Sequence, residues 1–509
     1  MRGPGMCWAC VAVLQLLLLL CCAGAVHGAD PVPVMTGLQP QLLTVPPGFN
    51  ISVYHAGVPK ARTMSATAVN GSTIVYVGSV GPGSGNNTGN VYYIVDEDSD
   101  GVPDFNGTLL EADTPNGVVV QGSDLLVSGF EDGKGMVWRL RDVHGYALRN
   151  QRFTGNRSVV TDRLPGDRWH GRRVLRFSPD GLLVLAVGVP CNACRLNRTA
   201  QGVQFGALYA LNTTSGELRQ LATGVRNSVG FDWHPQTGEL YFTDNGRDRM
   251  GDNRPDCEFN RIPVDSPTVV VRPNGTTPPS IPDFGHPFCH TQGLGDPYVR
   301  DFGGGVPLPD PEFNPNGRVV NCSDPGVNLQ PAQALGPHTA PLGMRFYRWR
   351  NVSGAFPRAY DATAFVAEHG SWDRAAKIGH RVMMVRLDNA SVAAYEPFAS
   401  GWLQNENVAE HNFTWGRPVD VEQLPDGSML ISDDGNGALY RVTYDDAAGG
   451  DFTGSDATGS DADRPAPRDS SRLVEATGGN ATSGTAAAWL GAWAAALACA
   501  AAAALALVA

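Results

Sequence analysis

Charge is scarce in this chain and leans acidic: 17% of its 509 residues are Asp, Glu, Lys or Arg, and the formal net charge is −12. No basic stripe runs through it, which argues against a nucleic-acid partner, since phosphate backbones call for clustered Lys and Arg. Helical periodicity of useful length is missing between the two ends, which points to an all-β chain. No Cys-x-x-Cys-His occurs, so no covalently attached haem module is encoded. The pair Cys191-Asn-Ala-Cys194 has no second pair beside it in the folded segment, as a four-cysteine zinc site would need. Large apolar side chains almost vanish over 445–485. Such a stretch buries too little surface to offset its ordering entropy and is expected to be a flexible stalk.

The ends carry the long apolar runs instead. Arg2, the leucine-rich run Val11–Cys22 and the small residues before position 30 make 1–29 a secretory signal peptide. Residues 486–509 are almost wholly Ala, Leu, Val and Trp, with no Lys or Arg after them. Small residues at 478–484 precede them, the layout of a GPI-attachment signal; a single C-terminal membrane anchor is the alternative. The expectation is a protein of the secretory pathway, at the cell surface or outside the cell, held to the membrane by a lipid or a helix. Thirteen Asn-x-Ser/Thr sequons, Asn50 to Asn480, fit a glycoprotein. Five cysteines lie between the ends: Cys191, Cys194, Cys257, Cys289 and Cys322. In a secreted chain Cys191 and Cys194 read as a local disulfide, Cys289 and Cys322 as a possible staple, and one cysteine is left over.

Within 39–444 a strand–turn–strand unit recurs around Pro-Asp-Gly-like turns, as in "FSPDGLLVLAVG", "WHPQTGELYFTDNG" and "QLPDGSMLISDDG". Six such units can be counted, each an alternating β-rich run followed by a polar turn and a second run. The expected fold is all-β, a six-bladed β-propeller. A strand from "LLTVPPGFNISVYHAGV" would close the ring on the last blade. A loop-rich insertion, 265–340, is expected between blades four and five, over one face of the disc. Trp169-His170-Gly171-Arg172 and Val225-Arg226-Asn227 sit at successive unit mouths, which places a polar site at the hub.

Six segments then become informative together: "WHGRR", "VRNSVGF", "FTDNGRD", "GPHTAPLGMRFY", "EHGSWDR" and "GRPVDV" with "PDGSMLISDD". In this order, over about 40–444, they resemble the glucose/sorbosone dehydrogenase family. These are six-bladed propellers that oxidise aldoses and related sugars with pyrroloquinoline quinone (PQQ), and the likeness is nearest the sorbosone and pyranose branch. The resemblance implies PQQ and Ca²⁺ as cofactors and a sugar as substrate, and with no haem module encoded, a diffusible electron acceptor. It puts His170 at the general base and Arg226 beside the quinone oxygens. Asn227, His369, Trp372, Arg374 and Arg417 fall on cofactor contacts, and the carbonyls of Gly246 and Arg247 on the Ca²⁺ position. The chemistry is sensible on its own terms. Imidazole takes a hydroxyl proton near working pH, and a guanidinium stabilises developing negative charge. One family arginine is replaced by Val419 and a family lysine near His369 is also absent, which puts strong glucose oxidation in doubt.

Other readings compete. In one, His170 caps a propeller loop and Arg226-Asn227 brace neighbouring blades, in a non-catalytic propeller that binds a glycan or protein. A Ca²⁺-dependent lactone or ester hydrolase would instead place side-chain carboxylates around a hub metal, where this chain has His, Arg and Asn. Separately, Asp96-Glu-Asp98-Ser-Asp100-Gly101, with Asp104, puts carboxylates on alternate residues before a turn. That is the first half of a Ca²⁺ loop, without the position-12 glutamate of an EF-hand, and otherwise a solvated acidic turn.

Overall fold

Turns set the architecture. In Ser178-Pro-Asp-Gly181 and Leu424-Pro-Asp-Gly427 the glycines adopt φ of +81° and +91°, and each glycine N–H donates to the carbonyl three residues back, at 2.9 and 3.0 Å. Glycine alone takes that left-handed conformation without steric cost, so the chain doubles back and the next run pairs antiparallel. In this computed structural model, residues 37–81, 87–273, 281–405 and 413–445 are described. The expected signal peptide, nearly all of the stalk and the apolar tail lie outside them. Among the described residues no helix is long and apolar enough to cross a membrane.

The described strands form one eight-stranded, one five-stranded and three four-stranded sheets, with three two-stranded pairs. The eight-stranded sheet is two four-strand meanders, 61–113 and 118–164, joined by the single pairing Asp113–Phe130. Burial follows position in the sheet. Ser72–Ser79, a central strand, is buried along its whole length, whereas Phe105–Asp113 buries only Leu109. The early strand Phe49–Ala56 pairs antiparallel with Ala438–Tyr444, Phe49 opposite Tyr444, as the ring-closing expectation requires. Phe49 packs edge-on against Phe356 and Phe398, with centroids 4.8 and 5.2 Å away. Each such aromatic contributes about 1.5–3 kcal/mol through burial. The fold is all-β and consistent with a β-propeller.

The insertion departs from expectation. It leaves the sheet after Asp256–Ile262 and returns as Gln333–Pro337, which pairs with that same strand. It therefore interrupts one four-stranded sheet between its third and fourth strands and does not join two blades. Nor is it structureless: Cys289–Gln292 pairs with Val306–Pro309, and Val269–Val270 extends the preceding sheet. Its proline and glycine content hid these short strands. Cys289 and Cys322 are disulfide-bonded across it, Cys191 and Cys194 are bonded locally, and Cys257 is free and buried. Phe284 docks the segment on Phe242, edge-on at 4.9 Å.

Candidate functional site

Buried carboxylates at strand ends build the site. Asp244 closes the strand Leu240–Asp244, and its two oxygens accept the backbone N–H groups of Arg226 (2.8 Å) and Asn227 (2.6 Å). Asp433 closes Met429–Asp433 and accepts the N–H of Arg417 at 2.9 Å. The repeat thus uses one device twice. Burial pushes the Asp244 carboxyl up to about 6, against the pull of those N–H donors.

His170 stands in a left-handed turn at φ +51°. A Cβ at Gly188 would come within 2.6 Å of the His170 Cβ, so the glycine ending "LAVG" makes room for the ring. Nδ1 lies 2.8 Å from the Val189 carbonyl, which can only accept. The proton is therefore on Nδ1 and the lone pair on Nε2. Burial, then the neighbouring Arg226 charge, lower the imidazole to about 3, so it is neutral at ordinary pH.

Arg226 is 4% exposed and its guanidinium is heavily engaged. It donates to Asn192 O and Oδ1, to Asn245 O and to Asp248 Oδ2 at 2.7–3.1 Å. Together with His170, Asn227, Gly246, Arg247 and Trp372 it walls one hollow. A second shares His170, Asn227 and Trp372 and adds Arg62, Arg172 and His369. His369 Nε2 donates to Asp434 Oδ1 at 2.8 Å, and Asp434 also pairs with Arg62 at 2.8 Å. Although burial opposes it, His369 and Arg62 hold Asp434 well below the usual carboxylate range, while burial lowers His369 to about 4. Arg172 makes no hydrogen bond among the described residues; Arg62 beside it, with burial, lowers it to about 10. A roomier groove lined by Trp233, Leu221 and Ile262 lies elsewhere and gathers no comparable set.

The predicted residues do not all meet. Arg374 is turned away: its guanidinium lies 4.4 Å from the Tyr298 ring centre and donates to Asp252 O and Asn253 Oδ1. The insertion supplies that aromatic face, which no motif announced. Arg417 walls neither hollow and instead holds the carbonyls of His369 (3.1 Å) and Gly370 (2.7 Å). Val419, where the family has its second arginine, is buried in an apolar cluster. In the acidic loop, Asp96, Asp98 and Asp104 each bring a carboxylate oxygen within 4.8 Å of the others. Asp100 stands outside that group, its Oδ1 accepting from the Val102 N–H at 2.8 Å. Sequence reasoning missed Asp244, Asp248, Asp434 and Arg62, and named Arg172 only as part of the Trp169–Arg172 segment. The recurring "TDNG" and "SDDG" are the signal that flags the first and third.

The TrAA12-like family model matches residues 146–445. The chain belongs to that family. It is 26% identical over 261 residues to a pyrroloquinoline quinone-dependent pyranose dehydrogenase of Coprinopsis cinerea, covering 47% of this chain and 32% of that protein. An uncharacterised protein of Borreliella burgdorferi is 33% identical over 241 residues, 47% of this chain and 52% of the other. The chain thus spans about half or less of the length of these curated relatives. Among solved structures, the holo PQQ domain of the Coprinopsis cinerea pyranose dehydrogenase superposes with TM-score 0.58 at 19% identity, over 82% of this chain and 99% of that one. A Trichoderma reesei AA12 enzyme does so with TM-score 0.58 at 18% identity, over 81% and 100%. These likenesses fix the fold. The branch read from the motifs is the one in which they lie.

Whether PQQ and Ca²⁺ suit this site is a question for its donor set. Gly246 and Arg247 line the hollow, and their carbonyls accept no hydrogen bond among the described residues, a hard-oxygen pair suited to Ca²⁺. Arg62 and Arg172 bring two guanidiniums to one carboxylate, Asp434, leaving positive charge for an anion. Trp372, 60% exposed, offers a flat ring to both hollows. The residues fit the two groups.

Proposed function

We propose that this protein is a PQQ-dependent dehydrogenase of a pyranose, aldose or sorbosone-like sugar on a six-bladed β-propeller, with His170 as general base. The observation that carries the reading is His170 itself: half-buried, neutral, its Nδ1 proton committed to Val189 and its Nε2 lone pair on offer, in a hollow shared with Arg226 and Asn227. Family membership and the name of the Coprinopsis cinerea relative support it. Counting the eight-stranded sheet as two meanders, and the strand Phe49–Ala56 with the last sheet, gives six blades.

Bound PQQ supplies the two-electron sink for the sugar's carbon-bound hydrogen. Arg226 and Asn227 would flank its quinone edge, the Gly246 and Arg247 carbonyls would hold Ca²⁺, and Arg62 and Arg172 would face its carboxylates. The chain's own work is then positional. Nε2 of His170 takes the sugar hydroxyl proton, and Val189 steadies the imidazolium through Nδ1. Arg226, fixed by Asn192 and Asp248, presents its charge without needing to reorganise. Trp169 and Trp372, 57% and 60% exposed, offer faces on which a pyranose ring stacks. Secretion, a lipid anchor and a diffusible acceptor belong to this reading and rest on sequence alone.

The engagement of Arg226 with Asn192, Asn245 and Asp248 favours a second reading, a propeller that binds a glycan without turning it over. Titration with PQQ and Ca²⁺ followed by dye reduction over a sugar panel separates the two. Saturable PQQ binding, with turnover abolished and binding kept in His170→Ala, is the expected result. No PQQ binding at micromolar protein sinks the dehydrogenase.

A further inference from the structure

We propose that Asp248, His338 and Asp373 form a binding site for a divalent transition cation of the Zn²⁺ or Cu²⁺ type, distinct from the Ca²⁺ position at Gly246 and Arg247. The three residues come from separate loops. Asp248 follows Leu240–Asp244, His338 follows the returning strand Gln333–Pro337 of the insertion, and Asp373 follows Ala364–Glu368. One ligand atom from each lies within 4.8 Å of the other two, a span one ion can bridge after small adjustments at bonds of about 2.0–2.2 Å.

The surroundings prepare each ligand. His338 Nε2 lies 2.9 Å from the Gly251 carbonyl, which can only accept, so the ring proton is on Nε2 and the Nδ1 lone pair is on offer. Metal-binding histidines commonly donate their other N–H to such an outer acceptor. Asp248 is anchored through Oδ2 by Arg226 at 2.8 Å, and Asp373 through Oδ2 by the Arg249 N–H at 3.0 Å. Neither Oδ1 makes a hydrogen bond among the described residues. The Arg226 guanidinium contacts Asp248 alone, and the Lys377 charge acts on Asp373 without a hydrogen bond to it, so both Oδ1 atoms are left to a cation.

The donor set selects the metal. One imidazole and two carboxylates match Zn²⁺ or Cu²⁺, whereas Ca²⁺ wants six to eight oxygens. The acidic loop at Asp96, Asp98 and Asp104 has only oxygen donors and is the internal contrast. Asp248 and His338 also wall the hollow that holds His170. An ion there ties the insertion to two loops at the rim, so metal and hollow occupancy are coupled.

The test is calorimetric titration of the chelator-treated full chain with ZnSO₄, and Cu²⁺ electron paramagnetic resonance on the same material. One saturable Zn²⁺ equivalent is expected, weakened by about tenfold or more in His338→Gln and in Asp373→Asn, and kept in Asp98→Asn. The Cu²⁺ spectrum should show one coordinated nitrogen. Absence of saturable Zn²⁺ binding, or binding untouched in both His338→Gln and Asp373→Asn, overturns the proposal. If those variants fail to fold, a wild-type Cu²⁺ spectrum without nitrogen coupling overturns it equally.

Discussion

The two sides of the hollow are held by different means. On the repeat side, Asp244 ends a strand and grips backbone N–H groups, so Arg226 and Asn227 are placed through the main chain, as Asp433 places Arg417 outside the hollow. On the insertion side, side chains grip side chains. Arg247 pairs with Asp310 at 2.6 Å and Glu312 at 2.7 Å, His290 pairs with the same Asp310 at 2.7 Å, and Arg374 lies on Tyr298. A backbone donor has few places to go once its strand is formed. A guanidinium on a long stem has many, and its order depends on everything packed around it. The repeat side is therefore built into the fold, while the insertion side is adjustable.

The largest test of this contrast is Asp244→Ala. It strands two backbone N–H donors, one buried and one half-buried, at about 1–3 kcal/mol each, so about 2–6 kcal/mol should be lost in denaturant unfolding, and Arg226 with it. A cost under 1 kcal/mol would mean that the main-chain grip is not what places Arg226. Next, Cys289→Ser with Cys322→Ser frees a loop of 33 residues. About 3.7 kcal/mol is expected on the loop-entropy model, with proteolysis starting inside the insertion and sparing the strand ends. Equal loss of protection on both sides would break the comparison.

Acid should act through the buried imidazoles. His170 and His380 are lowered to about 3 and His369 to about 4, in each case chiefly by burial. Above the ordinary value of 6.5 folded and unfolded chains are both neutral there. Below it only the unfolded chain takes the protons, so stability falls as pH drops from 6.5 toward 3–4. Asp244 works in the opposite sense: its carboxyl, raised to about 6, favours the folded chain below its ordinary value, and that advantage fades as pH rises through 6. His170 ring signals in NMR should therefore not titrate between pH 5 and 8. Titration near 6.5 would place that ring in water. The smallest effect belongs to Arg168→Ala, whose exposed pair with Asp113 is worth about 0.2–1 kcal/mol.

The repeat was legible because a glycine turn between alternating runs has few backbone solutions, and each unit states its own. His170, Arg226 and Asn227 were legible for the same reason, lying at fixed offsets from those turns. Arg374 falls outside both hollows, since its direction depends on Tyr298, 76 positions away and inside the segment whose strands were too short to read. Asp100 stands apart from the group formed by Asp96, Asp98 and Asp104, a distinction that alternation along a loop does not carry.

By itself the sequence determined the strand units, the closing strand and the histidine and arginine that share one hollow. All of these follow from local turn chemistry, periodicity and spacing. Only the tertiary structure decided that the insertion splits a sheet, that Arg417 braces the His369 loop and that Asp434 joins His369 to Arg62. Those depend on contacts between residues far apart in the chain, whose geometry exists only once the sheets have packed.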